Sequence, residues 1–430
     1  MRIVVRCQDA RLARDTQVRL AAAGVEAVAL PGPARTAPDG QDIVIVPAPD
    51  GDAAAARVFA NAENALACIV ALPCTNPPAP GLAGVEGFNG AIAFDAAPAM
   101  LAAQITALAR VAVIEEERPR RAETARALNI AHPSAPEPRK LKALYIGAPS
   151  PVFLSLERAL SEHGGLVAAA FSSFAGFDHL HDEPFDAVVL NGAQDSATAI
   201  SLCAALRRNA RLFHLPTMVI TAAGDHATET AAIARGAEAI VATNAPSREG
   251  LGWLFEAIRR ERRRRVAEQN IRALRDAMGD TRTGLFRREA FDAHLARLAA
   301  DHHMSGRPLS LAVLRVMPAP GSREANAQVW KQGFTEIASL AGRLMRTADC
   351  GAAIGEDIIA VALPAAPLKA ARRTAERIAS VAECTAFASG EGGVGPLVFE
   401  QSSVELQPGE SAPGMLARAL YALDVQNIPA

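Results

Sequence analysis

Within the first 250 residues the same series of short apolar runs occurs twice, in the same order and at similar spacing. Arg2-Ile-Val-Val5 has its counterpart in Lys142-Ala-Leu-Tyr-Ile146. Gln41-Asp-Ile-Val-Ile-Val-Pro-Ala-Pro-Asp50 parallels Phe185-Asp-Ala-Val-Val-Leu-Asn-Gly-Ala-Gln194. Cys68–Leu72 pairs with Thr217–Thr221, and Ala91–Pro98 with Ala239–Pro246. The runs stay apolar without alternation, which is the pattern of strands buried on both faces of a parallel sheet. Helix-forming stretches such as Ala10–Ala23, Pro151–His163, Ala197–Asn209 and Ala227–Arg235 separate them. Alternating strands and helices predict a doubly wound α/β unit, a five-stranded (β/α)5 fold of ~120 residues with its chemistry at the carboxyl ends of the strands. The repeat predicts two such units in tandem.

At 430 residues the chain has room for a third domain, and a 50% apolar composition excludes disorder of the whole chain. Three prolines in Ala131–Pro138 mark an extended linker. The expected domains are 1–130, 139–262 and 270–430. Gly252–Met278 lacks proline and carries Trp253, Leu254, Ile258, Val266, Ile271 and Leu274 at helical spacing, so one helix is expected to lead into the third domain. Arg259, Arg260 and Arg262–Arg265 surround that helix, and a solvated surface is expected of them in preference to an anion site. The net charge of −2 argues against nucleic acid as a partner. Six scattered cysteines suit a reducing cytoplasm better than a zinc site or a disulfide scaffold. No run approaches ~18 uninterrupted apolar residues and residues 1–8 lack a signal-like core, so a soluble protein without membrane insertion is expected.

With the turn Arg235-Gly-Ala-Glu238 before its fifth strand, the repeated unit resembles the response-regulator receiver domain. The resemblance implies a phosphate-accepting aspartate after the third strand, an acidic pair holding magnesium and a lysine that reads the phosphate. The aspartate position falls on Pro47 and Asn191, the acidic pair near Cys7-Gln8 and Gly147-Ala148, and the lysine near Ala96 and Thr243. Neither proline nor asparagine can form an acyl phosphate. Thr221 matches the family's switch hydroxyl, while Asp9, Asp50 and Asp195 read as loop or cap residues.

From Asp280 the sequence Asp-Thr-Arg-Thr-Gly-Leu-Phe-Arg-Arg-Glu-Ala-Phe291 resembles the opening of diguanylate cyclase (GGDEF) domains. The order continues through strand Leu309–Leu314, a helix from about Ala325 to Leu344, Gly355-Glu-Asp-Ile-Ile359 in place of G-G-D-E-F, and Arg418-Ala-Leu-Tyr-Ala422. The implied fold is α/β with a mixed central sheet. In that family magnesium offsets triphosphate charge and acidic side chains hold it. Here the metal aspartate aligns with Arg315, the signature glutamate with Ile358, the second glycine with Glu356, the base-reading groups with Arg287 and Lys331, and the phosphate lysine with Asp424. Asp357 remains, and an ion pair with Arg315 is expected of it. The resemblance therefore implies a cyclase frame that is not an enzyme.

One family feature is kept. Arg346-Thr-Ala-Asp349 stands five residues before Gly355, where many cyclases carry the R-x-x-D site that binds their product, c-di-GMP. An arginine can donate twice to guanine O6 and N7, and a carboxylate accepts from N1 and N2. Arg346 and Asp349 are thus the expected ligand-binding residues, with no catalytic or metal residue and no cofactor beside the ligand. Such sites need a further arginine; Gly390–Val404 has none, which leaves Arg262–Arg265 or a partner subunit. The layout resembles PleD-type regulators, implying a cytoplasmic, dimeric adaptor for signalling or protease-delivery proteins, placed at the cell pole and active in the cell cycle. A scaffold that binds no nucleotide is the competing reading, and an active cyclase using displaced acids is the third.

Overall fold

The computed structural model describes residues 2–31, 43–60, 65–131, 139–320, 327–388 and 396–425. Of the proline-rich linker, positions 132–138 lie outside them, as do the start of the helix expected from Ala325 and part of the Gly390–Val404 strand region. The chain forms two compact units. One comprises 2–112 and 136–265; the other comprises 113–135 and 266–430 together with Met1. Residues 113–131, ahead of the second repeat, pack in the same unit as the chain from Val266 onward.

The first unit holds both repeats. Its first sheet is built from β1 (Ile3–Cys7), β2 (Ala27–Pro31), β3 (Ile43–Pro47), β4 (Ala67–Leu72) and β5 (Gly90–Ala93), with α1 (Ala10–Ala22), the single turn α2 (Ala53–Ala56) and α3 (Pro98–Ala127) between and after them. The strand order is β2-β1-β3-β4-β5, and every pair is parallel. The second repeat supplies β6 (Lys142–Ile146), α4 (Pro151–Ser161), β7 (Leu166–Ala170), α5 (Ser173–Asp182), β8 (Ala187–Asn191), α6 (Ser196–Arg208), β9 (Thr217–Thr221), α7 (His226–Ala234), β10 (Ala239–Ala242) and α8 (Ser247–Met278). Its sheet, β10-β9-β8-β6-β7, has the same parallel order. β3, β4 and β9 are buried at every residue, which is why their apolar runs do not alternate. The apolar window of α3 supplies Leu101, Ile105, Leu108 and Ala112 to the core of the first sheet.

The first part of α8 serves both sheets. Trp253, Leu254, Phe255 and Ile258 join one apolar cluster with residues from each, and Trp253 Nε1 donates to the Cys74 carbonyl at 3.0 Å. Its arginines are not a solvated surface. Arg259 and Arg260 are buried and pair with Glu256 and Glu238. Arg264 pairs with Glu261 at 2.7 Å, and Arg265 reaches the fully buried Asp186 at 3.0 Å. Arg262 donates to the Arg139 carbonyl. The helix is buried through Glu261 and its next four arginines are half-buried, so its guanidiniums meet carboxylates and carbonyls of the unit.

The second unit is built around α9 (Arg288–Ser305), β11 (Leu309–Pro318), α10 (Ala327–Leu344), β12 (Cys350–Ala353), β13 (Ile358–Pro364), α11 (Leu368–Glu383), β14 (Leu397–Glu405) and α12 (Ala412–Val425). The sheet order is β12-β13-β11-β14. The expected mixed sheet is corrected here: all three strand pairs among the described residues are antiparallel, and only an isolated bridge between Phe286 and Ala352 is parallel. The last part of α3 and of α8 belong to this unit, where Ala125, Leu274 and Met278 pack with Phe286, Phe291 and Leu311.

Candidate ligand site

The carboxyl ends of the parallel strands carry no acyl-acceptor carboxylate at the two positions where one was sought. Pro47 ends β3. Asn191 ends β8 and bridges two loops, its Nδ2 donating to the Ala148 carbonyl at 2.7 Å while its Oδ1 accepts from Ala193 N at 3.1 Å. Asp9 and Asp195 are helix caps, accepting from Arg11 N at 2.8 Å and Thr198 N at 3.0 Å, and Asp50 lies in a turn. Thr221 is fully buried at the end of β9.

In the antiparallel unit, β11 places Arg315 opposite Ile358 of β13 and Glu400 of β14. Its guanidinium bonds Asp424 of α12 at 2.7 Å and reaches Glu400 at 3.4 Å. The expected Arg315–Asp357 pair gives way to these two contacts. Asp357 acts on Arg315 only through space, and its backbone carbonyl accepts from Val316 N at 2.8 Å. Asp424 hydrogen-bonds Arg315 and pushes its pKa above the usual range, with Glu400 and Asp357 adding to the effect. Arg315 and Asp424 thus neutralise each other. These residues do not fit magnesium, and among the described residues no three His, Cys, Asp or Glu side chains converge as metal ligands.

A cavity of about 650 Å³ lies beside this corner, lined by Asp280, Thr283, Arg287, Trp330, Lys331 and Glu356 among others. Arg287 is committed elsewhere, donating to the Met278 and Ala277 carbonyls at 3.2 Å, the end of α8. Trp330 Nε1 donates to the Glu356 carbonyl at 3.0 Å.

Arg346–Asp349 forms the turn between α10 and β12. Its two ends close on each other: Asp349 N donates to the Arg346 carbonyl at 3.0 Å, and Arg346 N donates to Asp349 Oδ2 at 2.9 Å. The arginine side of the turn is exposed, whereas Asp349 is 5% exposed. Arg377 of α11, on the exposed face of its helix, donates to the Leu344 carbonyl at 2.9 Å and acts electrostatically on Asp349. Arg377 thus adds an exposed arginine next to the turn. Arg121, near the end of α3, approaches from the interior and donates to the Ala348 and Asp349 carbonyls at 3.0 and 2.9 Å. Neither residue carries a motif; both follow from packing.

Burial pushes the Asp349 carboxyl up to about 6, against the Arg346 amide and the charges of Arg346, Arg121 and Arg377, which pull it down. Its folded pKa lies above the ordinary ~3.9 of an unfolded aspartate. Its contribution to stability is therefore full below about pH 4 and is lost as pH rises through about 6. Asp349→Asn, which keeps an acceptor for the Arg346 amide, is expected to stabilise the protein at pH 7.5 relative to pH 4 by up to about 3 kcal/mol. Thermal unfolding at the two pH values measures this; an equal effect at both would show that the carboxyl is not held in an unfavourable ionised state.

No protein-family model matches the sequence, and no curated protein matches it. Solved structures do. The structural neighbours include GGDEF domains. That of DgcB from Caulobacter crescentus, in complex with c-di-GMP, is 24% identical over 35% of this chain and 90% of that one, with a TM-score of 0.29. The FimX GGDEF domain from Pseudomonas aeruginosa is 18% identical over 34% of this chain and 92% of its own, with a TM-score of 0.30. A protein described as a response regulator, from Chloroflexus aurantiacus, is 22% identical over 26% and 91% of the two chains, with a TM-score of 0.24.

Proposed function

We propose that this protein is a non-catalytic c-di-GMP effector that grips the dinucleotide through Arg346 and Asp349 and acts as an adaptor for other signalling proteins. The observation that carries the reading is the turn itself: its arginine is presented outward, Arg377 supplies a second guanidinium beside it, and Asp349 locks the loop from within. Two arginines suit a ligand with guanine edges and bridging phosphates. The neighbouring corner supports the absence of synthesis, because Arg315 and Asp424 neutralise each other at 2.7 Å where metal and phosphate would have to sit.

The alternative is a nucleotide-independent scaffold. Calorimetric titration of the whole chain with c-di-GMP separates the two. The effector reading expects heat of binding and a rise in melting temperature of several degrees at saturating ligand, together with no dinucleotide formed from GTP and magnesium. No heat and no rise would leave the scaffold. Product from GTP would overturn both in favour of a cyclase. For the adaptor role the parallel-sheet unit provides the docking and dimerisation surfaces, with action at the cell pole and in regulated proteolysis. Deletion of the gene without any change in polar recruitment or regulator turnover would remove that role.

A further inference from the structure

Arg121 is the largest fully buried side chain among the described residues. Its Nε donates to Glu117 Oε1 at 2.8 Å, its Nη2 spans the Ala348 and Asp349 carbonyls, and its guanidinium lies over the Phe286 ring at 5.3 Å. Glu117 is held in turn by the fully buried His294 of α9, whose Nε2 lies 2.7 Å from the same carboxylate oxygen. An ionised group is buried so completely only where several acceptors converge on it. Here two of the acceptors are backbone carbonyls at the end of the Arg346–Asp349 turn, 227 and 228 residues away in sequence.

From this geometry we infer that Arg121 is a positioning residue for the ligand site: it fixes the turn from the inside so that Arg346 is presented to the dinucleotide in a productive orientation. The inference rests on the proposal that this turn binds c-di-GMP. A bidentate arginine–guanine contact tolerates little displacement, so the backbone that carries the arginine has to be held. Asp349 closes the turn across its own ends, a bond internal to the turn. The two bonds from Arg121 tie the Ala348 and Asp349 peptides to the end of α3. Its charge also acts on Asp349, beside Arg346 of the same turn and Arg377 of α11.

The test uses the full chain and c-di-GMP. Arg121→Met is expected to weaken binding about ten- to a hundredfold, and Arg121→Lys, which keeps the charge and one donor, by less. In Arg121→Met the acid limb of the affinity–pH profile is also expected to move to higher pH, a change that mere loosening of the fold would not produce. If Arg121→Met fails to fold, hydrogen exchange on the wild type decides. Ligand should slow exchange in residues 117–124 as well as in 346–350, and protection confined to 346–350 would overturn the inference. Wild-type affinity in a folded Arg121→Met protein would overturn it too. Absence of binding by the wild type is a different result: it removes the effector reading itself, and this inference with it.

Discussion

Glu117→Gln is expected to destabilise the antiparallel unit by about 3–5 kcal/mol, the cost of leaving the buried Arg121 guanidinium without its counter-ion, which for a unit of this size lowers its melting temperature by roughly 10 °C. Glu117 is wholly buried and serves Arg121 at 2.8 Å and His294 at 2.7 Å through the same oxygen. Burial alone would raise its pKa, but the charges and hydrogen bonds of His294 and Arg121 outweigh burial and hold the carboxyl down to about 2. Because the folded value is depressed, the stabilisation is present above the unfolded value near 4.5 and is lost as pH falls through about 2. The penalty of Glu117→Gln should therefore be constant from pH 5 to 8 and shrink below pH 4.5. Thermal or urea unfolding across that range measures it. Replacing Glu117, Arg121 and His294 together by apolar residues should cost far less than Glu117→Gln alone, since no charge is then left unpaired. A single variant within 1 kcal/mol of wild type would show that water reaches the group.

That network also shows where the sequence is legible and where it is not. Continuous apolar runs identified β3, β4, β8 and β9, because strands covered on both faces must be apolar throughout. The second strand of each repeat is apolar as well, but not because both faces are covered: β7 lies at a sheet edge, and the first four residues of Leu-Val-Ala-Ala-Ala are exposed or half-buried. The arginines of α8 were misjudged for a related reason: spacing around a helix shows which sides carry charge, but not that each side is covered. Arg121 lies in the run Glu-Glu-Glu-Arg-Pro-Arg-Arg, which by composition resembles any exposed charged helix. Only the fold reveals that three of these charges, Glu117, Arg120 and Arg121, are buried, and that Arg121 meets a turn more than 200 residues away in sequence.

The corner around Arg315 teaches the reverse lesson. Position by position, the resemblance implies a basic residue where an acid is expected and an acid where a base is expected, two changes with no evident relation in sequence. In three dimensions they are one exchange, since Arg315 and Asp424 meet at 2.7 Å across β11 and α12. The pair is partly exposed and contributes little to stability on that account. Its consequence is chemical: each group occupies the other's charge, as the proposed absence of synthesis requires.

Arg346→Ala is expected to reduce c-di-GMP affinity by about a hundredfold or more, while the melting temperature of the free protein stays within about a degree of wild type. The two halves of this expectation come from different atoms of the residue. The backbone of Arg346 closes the turn, donating to Asp349 Oδ2 and accepting from Asp349 N, and alanine retains both bonds. The guanidinium lies on the exposed side, so its removal opens no cavity and strands no buried partner. In the complex it would supply two charge-assisted bonds to one guanine edge, each worth about 1.5–3 kcal/mol. Arg346→Lys keeps the charge without the planar fork and should recover only part of the loss, because a point charge attracts the phosphates but cannot match O6 and N7 together. Arg377→Ala should weaken binding by a smaller factor. It should also steepen the loss of affinity at low pH, since one of the three cations that favour the ionised form of Asp349 is gone. Calorimetry on the four proteins at pH 7.5 and pH 5.5 checks the series. Equal affinities for wild type and Arg346→Ala would place the dinucleotide elsewhere; equal affinities for Arg346→Lys and wild type would reduce the contact to general attraction between a cation and phosphate.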